Sequence, residues 1–381
     1  MERMNRHGRK SPFKPSFGSR PDEFIGRNDE IRDLEYAVDD VNSQYRSTLI
    51  TGLKGFGKTS LLSKFTDMAK NESDIYVVST SADSNAQSIL DDIAEQVSAF
   101  TKNDDFKLSK ISFGFQSLVK AEFDNNEREV KPQYRRVMQS MFDELDLKIS
   151  DNGQANNLLL ISVDEVQAGF DELRVLATSY QMWVREHYNV MLLVAGLPQY
   201  VSWVDNDRAM SFLARSARVV LDELDINLVA DMYFNVFNKN NRVITEEVAL
   251  KMAELTEGFP YAVQLLGSLV WTRSESEVTL DDVETAFEES HKILASSSFQ
   301  AIDNFSGNLQ KVLLAIARSG LDEFLPHDLH DYLPELERTE ISRQLKNLRE
   351  FGLLSQDAPR SPYEVTFKMF MRYLVDEYEL N

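Results

Sequence analysis

Residues 46–64 have the residue types and the spacing of a loop that binds phosphate groups. Gly52, Gly57, Lys58 and Thr59 fit the pattern G-x-x-x-x-G-K-[ST]. Glycines in this pattern allow backbone amides to converge on a phosphate, and the lysine adds a positive charge. The threonine hydroxyl is a suitable ligand for Mg²⁺. The stretch therefore predicts a site for the phosphates of a nucleotide and their metal ion.

Such a loop acts only when a strand and a helix hold it. Residues 48–51 are an apolar and β-branched run that predicts a buried strand, and Leu61, Leu62 and Phe65 recur at helical spacing. The order strand, loop, helix is the context that separates a P-loop from an incidental pattern match. We therefore favour phosphate binding over the alternative, a glycine-rich turn with an unrelated lysine.

Two carboxylates, Asp164 and Glu165, follow the aliphatic run Leu158–Val163. An unbroken run of this kind predicts a strand that is buried on both faces, with the acids at its carboxyl end. Open α/β sheets bind ligands at that edge. One carboxylate can hold a metal ion while the other deprotonates a water molecule. The alternative is an acidic loop after a core strand.

The composition excludes several classes of protein. The chain has 381 residues, 41 basic and 62 acidic, so its formal net charge is −21. A protein this acidic is not a non-specific coat for DNA, because phosphate attraction dominates such binding. The absence of cysteine excludes disulfides, thiolate zinc sites and cysteine nucleophiles, and it suits a reducing cytosol. No apolar run approaches the ~18–20 residues that span a bilayer, so a cytoplasmic protein without membrane contact is expected.

Residues 1–20 differ from the rest of the chain in charge. They hold six Lys or Arg residues and one Glu, together with Gly, Ser and Pro, which predicts a basic flexible arm. A solvated terminus is the favoured interpretation, and an arm that touches nucleic acid or an acidic partner is the alternative.

Two further segments resemble motifs of the AAA+ and STAND ATPases, particularly the origin-recognition-like and archaeal branches. Gly26, Arg27 and Glu30 match the Gly-Arg-x-x-Glu box, which folds over the adenine in those families. Gly258-x-Pro260 resembles the motif that replaces the sensor-2 arginine in STAND ATPases, where the proline approaches the adenine. By this resemblance, Asp164 and Glu165 form a Walker B motif of the Asp-Glu type.

The resemblance implies an ATPase, with slow turnover, whose cofactors are ATP and Mg²⁺. It implies Glu165 as the base, Lys58 as a second catalytic residue, and Thr59 and Asp164 as the residues that hold Mg²⁺. The remaining nucleotide contacts fall on the two motifs and the loop. The implied nucleotide-binding residues are Gly26, Arg27, Gly52, Gly55, Gly57, Lys58, Thr59, Ser60 and Pro260.

The resembled families also have a sensor-1 residue and an arginine finger. Those families place a polar sensor-1 residue at the end of the next core strand, whereas this strand ends in Ala195 and Gly196, with Gln199 the first amide. Arg215 and Arg218 lie near the position of an arginine finger that reaches the nucleotide of a neighbouring subunit. Arg215 fits the spacing better, and a surface arginine without a ligand is the alternative.

The resemblance also implies the fold. It is α/β, a P-loop NTPase of the AAA+ type, in which a three-layer parallel sheet sandwich of strand order 5-1-4-3-2 is followed by a helical lid and a C-terminal winged helix. The expected domains are the arm at 1–20, the ATPase αβα domain at 21–222, the lid at 223–303 and the winged helix at 304–381. Residues 101–132 are polar and predict an insertion.

The partner of the C-terminal domain is not decided by the sequence. Its third predicted helix carries Arg338, Arg343, Lys346 and Arg349, at the position of a recognition helix. Residues 305–381 nevertheless have nine basic and thirteen acidic residues, and 9 − 13 = −4. One interpretation is an ATPase whose winged helix meets duplex DNA. The other is a nucleotide-switched signalling or defence protein whose winged helix docks a protein, and either can work as a homo-oligomer.

Overall fold

The computed structural model describes residues 10–16, 23–82, 88–101, 130–167, 171–297, 305 and 307–380. These residues form two compact units that are discontinuous in sequence. The first unit is drawn from residues 27–51 and 61–220, and the second from residues 1–26, 52–60 and 221–381. The expected domain bounds stay predictions, and most of the predicted insertion, residues 102–129, lies outside the described residues.

A five-stranded parallel sheet is the centre of the first unit. Its strands are β1 (Ser47–Thr51), β2 (Ile75–Ser81), β3 (Leu158–Val166), β4 (Val190–Gly196) and β5 (Ala217–Val220). Their order in the sheet is β2-β3-β4-β1-β5, which confirms the predicted order 5-1-4-3-2. Every residue of β1 and β4 is buried. Because successive side chains of a strand point to opposite faces, both faces of the central sheet are covered.

Between residues 27 and 220, the described ranges contain six α-helices. They are α1 (Asn28–Asp39), α2 (Lys58–Ala69), α3 (Ile89–Phe100), α4 (Val130–Glu144), α5 (Asp171–Arg185) and α6 (Pro198–Asn206). Three short 3₁₀ helices lie at Gln44–Arg46, Arg208–Met210 and Leu213–Arg215. The core of the unit joins the sheet to large aromatic residues of α4 and α5, such as Phe142 and Trp183, whose ring centres are 5.0 Å apart.

Within residues 221–297 of the second unit, the structure describes four helices, and the sequence predicts helices there for the lid. They are α7 (Ile226–Lys239), α8 (Glu246–Thr256), α9 (Pro260–Arg273) and α10 (Leu280–Ser297). Their core contains Tyr233, Phe237 and Trp271. The Tyr233 hydroxyl donates to the Val263 carbonyl oxygen at 2.6 Å, which satisfies its polar atom inside the core.

Residues 10–16 are packed on these helices and are not the solvated arm that the composition predicts. Phe13 is 4% exposed and lies against Tyr233 and Phe237. A Cβ at Gly267 would come within 2.6 Å of the Phe13 ring, so the glycine makes room for it. The Lys14 amide donates to Gln264 Oε1 at 3.0 Å. One aromatic residue within a basic segment is therefore enough to anchor it, because burying a phenyl ring is worth about 2 kcal/mol.

The C-terminal part of the second unit combines three α-helices with a small antiparallel sheet. The helices are α11 (Asn308–Ser319), α12 (Arg338–Glu350) and α13 (Lys368–Glu377), and the strands are β6 (Glu323–Phe324), β7 (Leu354–Ser355) and β8 (Tyr363–Val365), in the order β6-β8-β7. The sequence pattern predicts that residues 353–355 and 363–367 pair, and β7 does pair with β8. The sequence pattern predicts an α-helix at 328–333, whereas the structure has a 3₁₀ helix, Pro326–Tyr332. The strand β6 is not predicted, because two residues carry no periodicity.

Candidate functional site

The loop between β1 and α2 depends on its glycines. Gly55 and Gly57 have φ angles of +89° and +91°, which side chains rarely adopt. A Cβ at Gly55 would also lie 2.7 Å from the Phe259 ring. Around Gly57, in contrast, a Cβ would meet nothing within 4 Å. The loop is therefore held tightly on one side and has open space beside Gly57, where a phosphate oxygen can approach the backbone.

Lys58 is the first residue of α2 and turns back over this loop. Its Nζ donates to the carbonyl oxygens of Gly52 at 2.8 Å and Leu53 at 3.0 Å. Thr59 is exposed and Ser60 is half-buried in the first turn of the same helix. The amino end of a helix presents backbone N–H groups and a partial positive charge, both of which stabilise an anion. This geometry fits a phosphate group.

One residue of the loop is tied to two distant segments of the second unit. Phe56, which the motif treats as a variable position, is 3% exposed. Its ring lies 5.1 Å from that of Phe259 and 5.2 Å from that of Phe367, and these two rings are 4.8 Å apart. Phe259 precedes α9 and Phe367 precedes α13. The three rings form an aromatic cluster that joins the loop to the lid helices and to the C-terminal module.

Leu224 contacts Gly26 and Gly258, one glycine from each of the two motifs that resemble adenine-binding segments. Its amide donates to the Gly258 carbonyl oxygen at 2.8 Å, and a Cβ at Gly258 would lie 2.1 Å from the Leu224 oxygen. Gly26 lies against the Leu224 side chain: a Cβ at Gly26 would be 3.1 Å from Leu224 Cδ2. Pro260 begins α9 two residues after Gly258. The structure thus places Gly26, the loop at 52–60 and Pro260 within one unit.

The two acids lie at the carboxyl end of β3 in the first unit. Asp164 is half-buried and pairs in register with Ser81 of β2, while Glu165 is exposed. The register of β3 against β4 shifts between Val163 and Val166, and Glu165 has a φ angle of +56°. Asp164 Oδ1 accepts a hydrogen bond from the Glu165 amide at 2.8 Å. A bulge of this kind re-aims side chains at a sheet edge, and a strained non-glycine residue is common at functional sites.

The same bulge accounts for the missing sensor-1 side chain. A Cβ at Gly196, the last residue of β4, would lie 2.6 Å from the Val166 carbonyl oxygen and 2.9 Å from the Tyr200 ring. Any larger residue would push the bulge away from its neighbour. Gln199, the first amide after the strand, is half-buried in the first turn of α6. A glycine at the end of a core strand is a sequence signal for close approach of a neighbouring backbone, although it does not indicate the bulge itself.

The arginines of the first unit have different surroundings. Arg27 has its backbone in the left-handed region and forms an ion pair with Glu30 at 3.6 Å. Arg218 donates to Asp205 Oδ2 at 3.2 Å. Arg215 ends the 3₁₀ helix at 213–215, is exposed, and forms no ion pair with any described residue. Of the two predicted finger positions, Arg215 is therefore the one whose charge is not already engaged.

No group of three or more His, Asp or Glu side chains within the described ranges is arranged to hold a metal ion. This is compatible with Mg²⁺, which commonly takes one or two protein ligands and completes its coordination with water and phosphate oxygens. The exposed Thr59 hydroxyl and the half-buried Asp164 carboxylate have the hard oxygen atoms that Mg²⁺ prefers.

Comparison with known proteins agrees with these motifs. Residues 23–193 match the family model described as an AAA ATPase domain. The chain is similar to the Walker-type ATPase paby2304 of Pyrococcus abyssi, with 17% identity and a TM-score of 0.60 over 93% of this chain and 97% of the other. It is also similar to the Aeropyrum pernix ORC2 protein in its ADPNP-ADP complexes, with 12% identity and a TM-score of 0.57 over 96% and 98%. No curated protein matches the sequence.

At these identities the two solved structures establish the fold alone, a P-loop AAA+ fold with a mostly parallel sheet. Among the helices that the structure describes, none is long and apolar enough to cross a membrane.

Proposed function

We propose that this protein, whose residues 23–193 form an AAA ATPase domain, binds ATP with Mg²⁺ and hydrolyses it slowly. The observation that carries the proposal is the loop at 52–60. Its two left-handed glycines, the open space at Gly57 and Lys58 at the amino end of α2 are the features that phosphate binding requires.

Each predicted site residue has a role in this proposal. Lys58 neutralises charge on the outer phosphates, and the Thr59 hydroxyl and Asp164 carboxylate are the residues that would hold Mg²⁺. When bound, this ion stabilises the negative charge that develops as the phosphoryl group is transferred. Glu165 orients a water molecule and accepts its proton. Its exposed carboxylate is compatible with that role.

The adenine contacts are proposed from the family resemblance. Gly26, Arg27 and Pro260 would lie against the base, as the matching motifs do in AAA+ and STAND ATPases. Supporting this, Gly26 and Pro260 belong to the same unit as the phosphate-binding loop. The left-handed backbone of Gly26 and Arg27 gives the chain a sharp bend just before α1.

The direct test is the affinity for Mg²⁺–ATP of Lys58→Ala, measured by calorimetry. Loss of a charge-assisted interaction at two phosphates should weaken binding roughly 100-fold or more. Lys70→Ala is the matched control, because Lys70 is an exposed lysine just beyond the other end of α2. Near-native affinity of Lys58→Ala would remove the proposal.

We further propose that the C-terminal module is a winged helix that engages duplex DNA. Its helices and its β7–β8 hairpin follow the chain order of that fold. The exposed face of α12 carries Arg338, Arg343, Lys346 and Arg349, while Glu340 and Glu350 are half-buried. Exposed arginines on one helix can contact phosphates and base edges in the major groove.

A second function has its own support, which is the state of these basic residues. Arg343 pairs with Glu340 at 2.8 Å, and Lys346 lies 3.9 Å from Glu350. Hydrogen bonds from Gln344, Asn308 and Arg343 lower the pKa of Glu340 to about 2, so this carboxylate stays charged. Two of the four basic residues on α12 are thus paired locally with acids, which suits a protein partner. Nucleotide-controlled docking of a protein is therefore the alternative.

A salt titration of duplex DNA binding, with ATP present, distinguishes the two. For Arg343→Glu/Arg349→Glu we expect weaker binding, unchanged ATP turnover, and a log–log salt dependence flatter by about two units. The control Arg32→Glu/Lys251→Glu changes the net charge equally on exposed positions of α1 and α8. If the wild type does not bind DNA at low salt, or both double variants bind as it does, the protein-docking function replaces the DNA function.

A further inference from the structure

A pocket of about 210 Å³ lies at the amino ends of β1 and β4 in the first unit. Its polar lining includes Arg46, Arg215, Ser47, Ser216 and Tyr180. No carboxylate of the described residues lines it, although the chain carries a net charge of −21. Because Arg46 and Arg215 line the pocket together with uncharged residues, the pocket is electropositive within a strongly acidic protein.

Arg46 is the buried cation of the pocket. The residue is 8% exposed, and its Nη2 donates to the side-chain oxygen of Asn189, which is uncharged. Its Nη1 is buried and has no hydrogen-bond partner among the described residues. Burial lowers the pKa of this guanidinium below its ordinary value, although arginine remains charged in proteins. A buried charge without an opposite charge is costly, and a nearby anion would offset that cost.

Asp40 is the carboxylate that interacts electrostatically with Arg46, but it does not line the pocket and it accepts hydrogen bonds from other groups. Asp40 accepts hydrogen bonds from the Tyr36 hydroxyl at 3.1 Å and from the Asn42 amide at 2.9 Å. The Tyr180 hydroxyl donates to the Arg46 carbonyl oxygen at 2.9 Å, so it fixes the backbone of Arg46 and not its guanidinium.

The second cation and a pair of hydroxyls complete the pocket. Arg215 is exposed and forms no ion pair within the described part of the chain. The hydroxyls of Ser47 and Ser216 lie 2.6 Å apart. One of these hydroxyls donates to the other, which leaves a hydrogen free to point towards a ligand. Arg215 supplies a flexible fork of donors at the mouth, and Arg46 supplies positive potential from the wall.

We propose that this pocket binds a phosphate oxyanion, either free phosphate or the phosphoryl group of a small phosphate monoester. A tetrahedral dianion can accept from the Arg215 fork and a serine hydroxyl together, and it compensates the charge of Arg46. The apolar lining, which includes Val184 and Phe212, has room for the organic part of a monoester. This site is separate from the loop at 52–60 and does not depend on the proposed ATPase activity.

The test uses the full chain with Lys58→Ala, so that phosphate binding at the loop is suppressed. Calorimetric titration with inorganic phosphate and with glycerol phosphate, at constant ionic strength in chloride, should give saturable binding. Adding Arg215→Ala should weaken this binding by about tenfold or more, as expected for a lost charge-assisted interaction. A monoester that binds more tightly than phosphate identifies the organic form as the ligand.

The matched control is Arg32→Ala, an exposed arginine on α1 in the same unit, which should leave phosphate binding unchanged. Arg46→Met tests the buried charge, and Arg46→Lys should retain more of the affinity than Arg46→Met. The proposal fails if neither anion binds to the Lys58→Ala protein. It fails equally if Arg215→Ala binds both anions as the parent does, and this outcome is decisive even if Arg46→Met does not fold.

Discussion

Two cations flank β1 along the chain, and their surroundings differ. Lys58 follows the carboxyl end of the strand, where its Nζ donates to backbone oxygens of its own loop. Arg46 precedes the amino end, where its Nη2 donates to a side-chain amide of a neighbouring strand region. Nη1 of Arg46 is buried without a hydrogen-bond partner among the described residues, which favours an anion as a further partner of that guanidinium.

The difference between them explains why sequence reasoning finds one and misses the other. The oxygens that receive Lys58 lie five and six positions away, so a short motif encodes the arrangement. Asn189 and Tyr180 lie 143 and 134 positions from Arg46, and only the folded sheet brings them together. A local motif can be recognised in one sequence, whereas a site built from distant segments requires the structure.

The largest expected effect concerns Arg215, which lines the pocket beside Arg46 and also occupies the predicted finger position. Arg215→Ala should spare ATP binding but lower turnover up to ~10³-fold, and only at concentrations where the protein self-associates. The reason is that an arginine finger stabilises charge in the active site of a neighbouring copy. ATPase rates measured over a range of protein concentrations provide the check.

Arg218→Ala is the matched control, since Arg218 is already paired with Asp205. If the rate does not depend on protein concentration and Arg215→Ala leaves it unchanged, Arg215 belongs to the pocket and not to a finger.

A second prediction concerns the aromatic cluster of Phe56, Phe259 and Phe367, which packs against the loop before Lys58. Phe56→Ala should lower the free energy of unfolding by about 3 kcal/mol, because it opens a cavity between Phe259 and Phe367. Phe56→Leu, which retains most of the volume, should cost about 1 kcal/mol. Urea unfolding measures both variants. Equal transitions for Phe56→Ala and the wild type would show that the cluster does not hold the loop.

The smallest expected effect is the change in stability caused by replacing Arg46. Arg46→Met in chloride should change the free energy of unfolding by less than about 1 kcal/mol, because removal of an uncompensated buried charge offsets the lost hydrogen bond. ATP affinity should be unchanged. If urea unfolding shows that Arg46→Met lowers the free energy of unfolding by several kcal/mol, the charge of the guanidinium is already compensated within the protein. The argument that Arg46 favours an anion would then fail.

Much of the fold could be predicted from the sequence, because its signals are local. The runs Leu158–Val163 and Val190–Ala195 are buried strands as expected, and the P-loop motif fixed which strand precedes the loop. The strand order followed from the family resemblance and is confirmed. The strand predicted at 48–51 is observed as β1, and the helix predicted after Thr59 begins one residue before it, at Lys58.

The features that were missed depend on packing between distant residues. Phe56 is a variable position in the motif, and its contacts with Phe259 and Phe367 are set by the tertiary structure. Phe13 lies in a segment whose composition predicts disorder, and burial of one ring overrides that composition. The left-handed conformation of Glu165 arises from the bulge against β4, which no local pattern indicates.

The most direct test of the ATPase assignment compares ATP binding with ATP turnover in Glu165→Gln. We expect an affinity for Mg²⁺–ATP within about threefold of the wild type and a turnover rate at least ~100-fold lower, because only the base is removed. Glu72→Gln is the matched control, because Glu72 is an exposed acid with no predicted role; it should match the wild type in both affinity and turnover. Turnover of Glu165→Gln within a few-fold of the wild type would contradict the account.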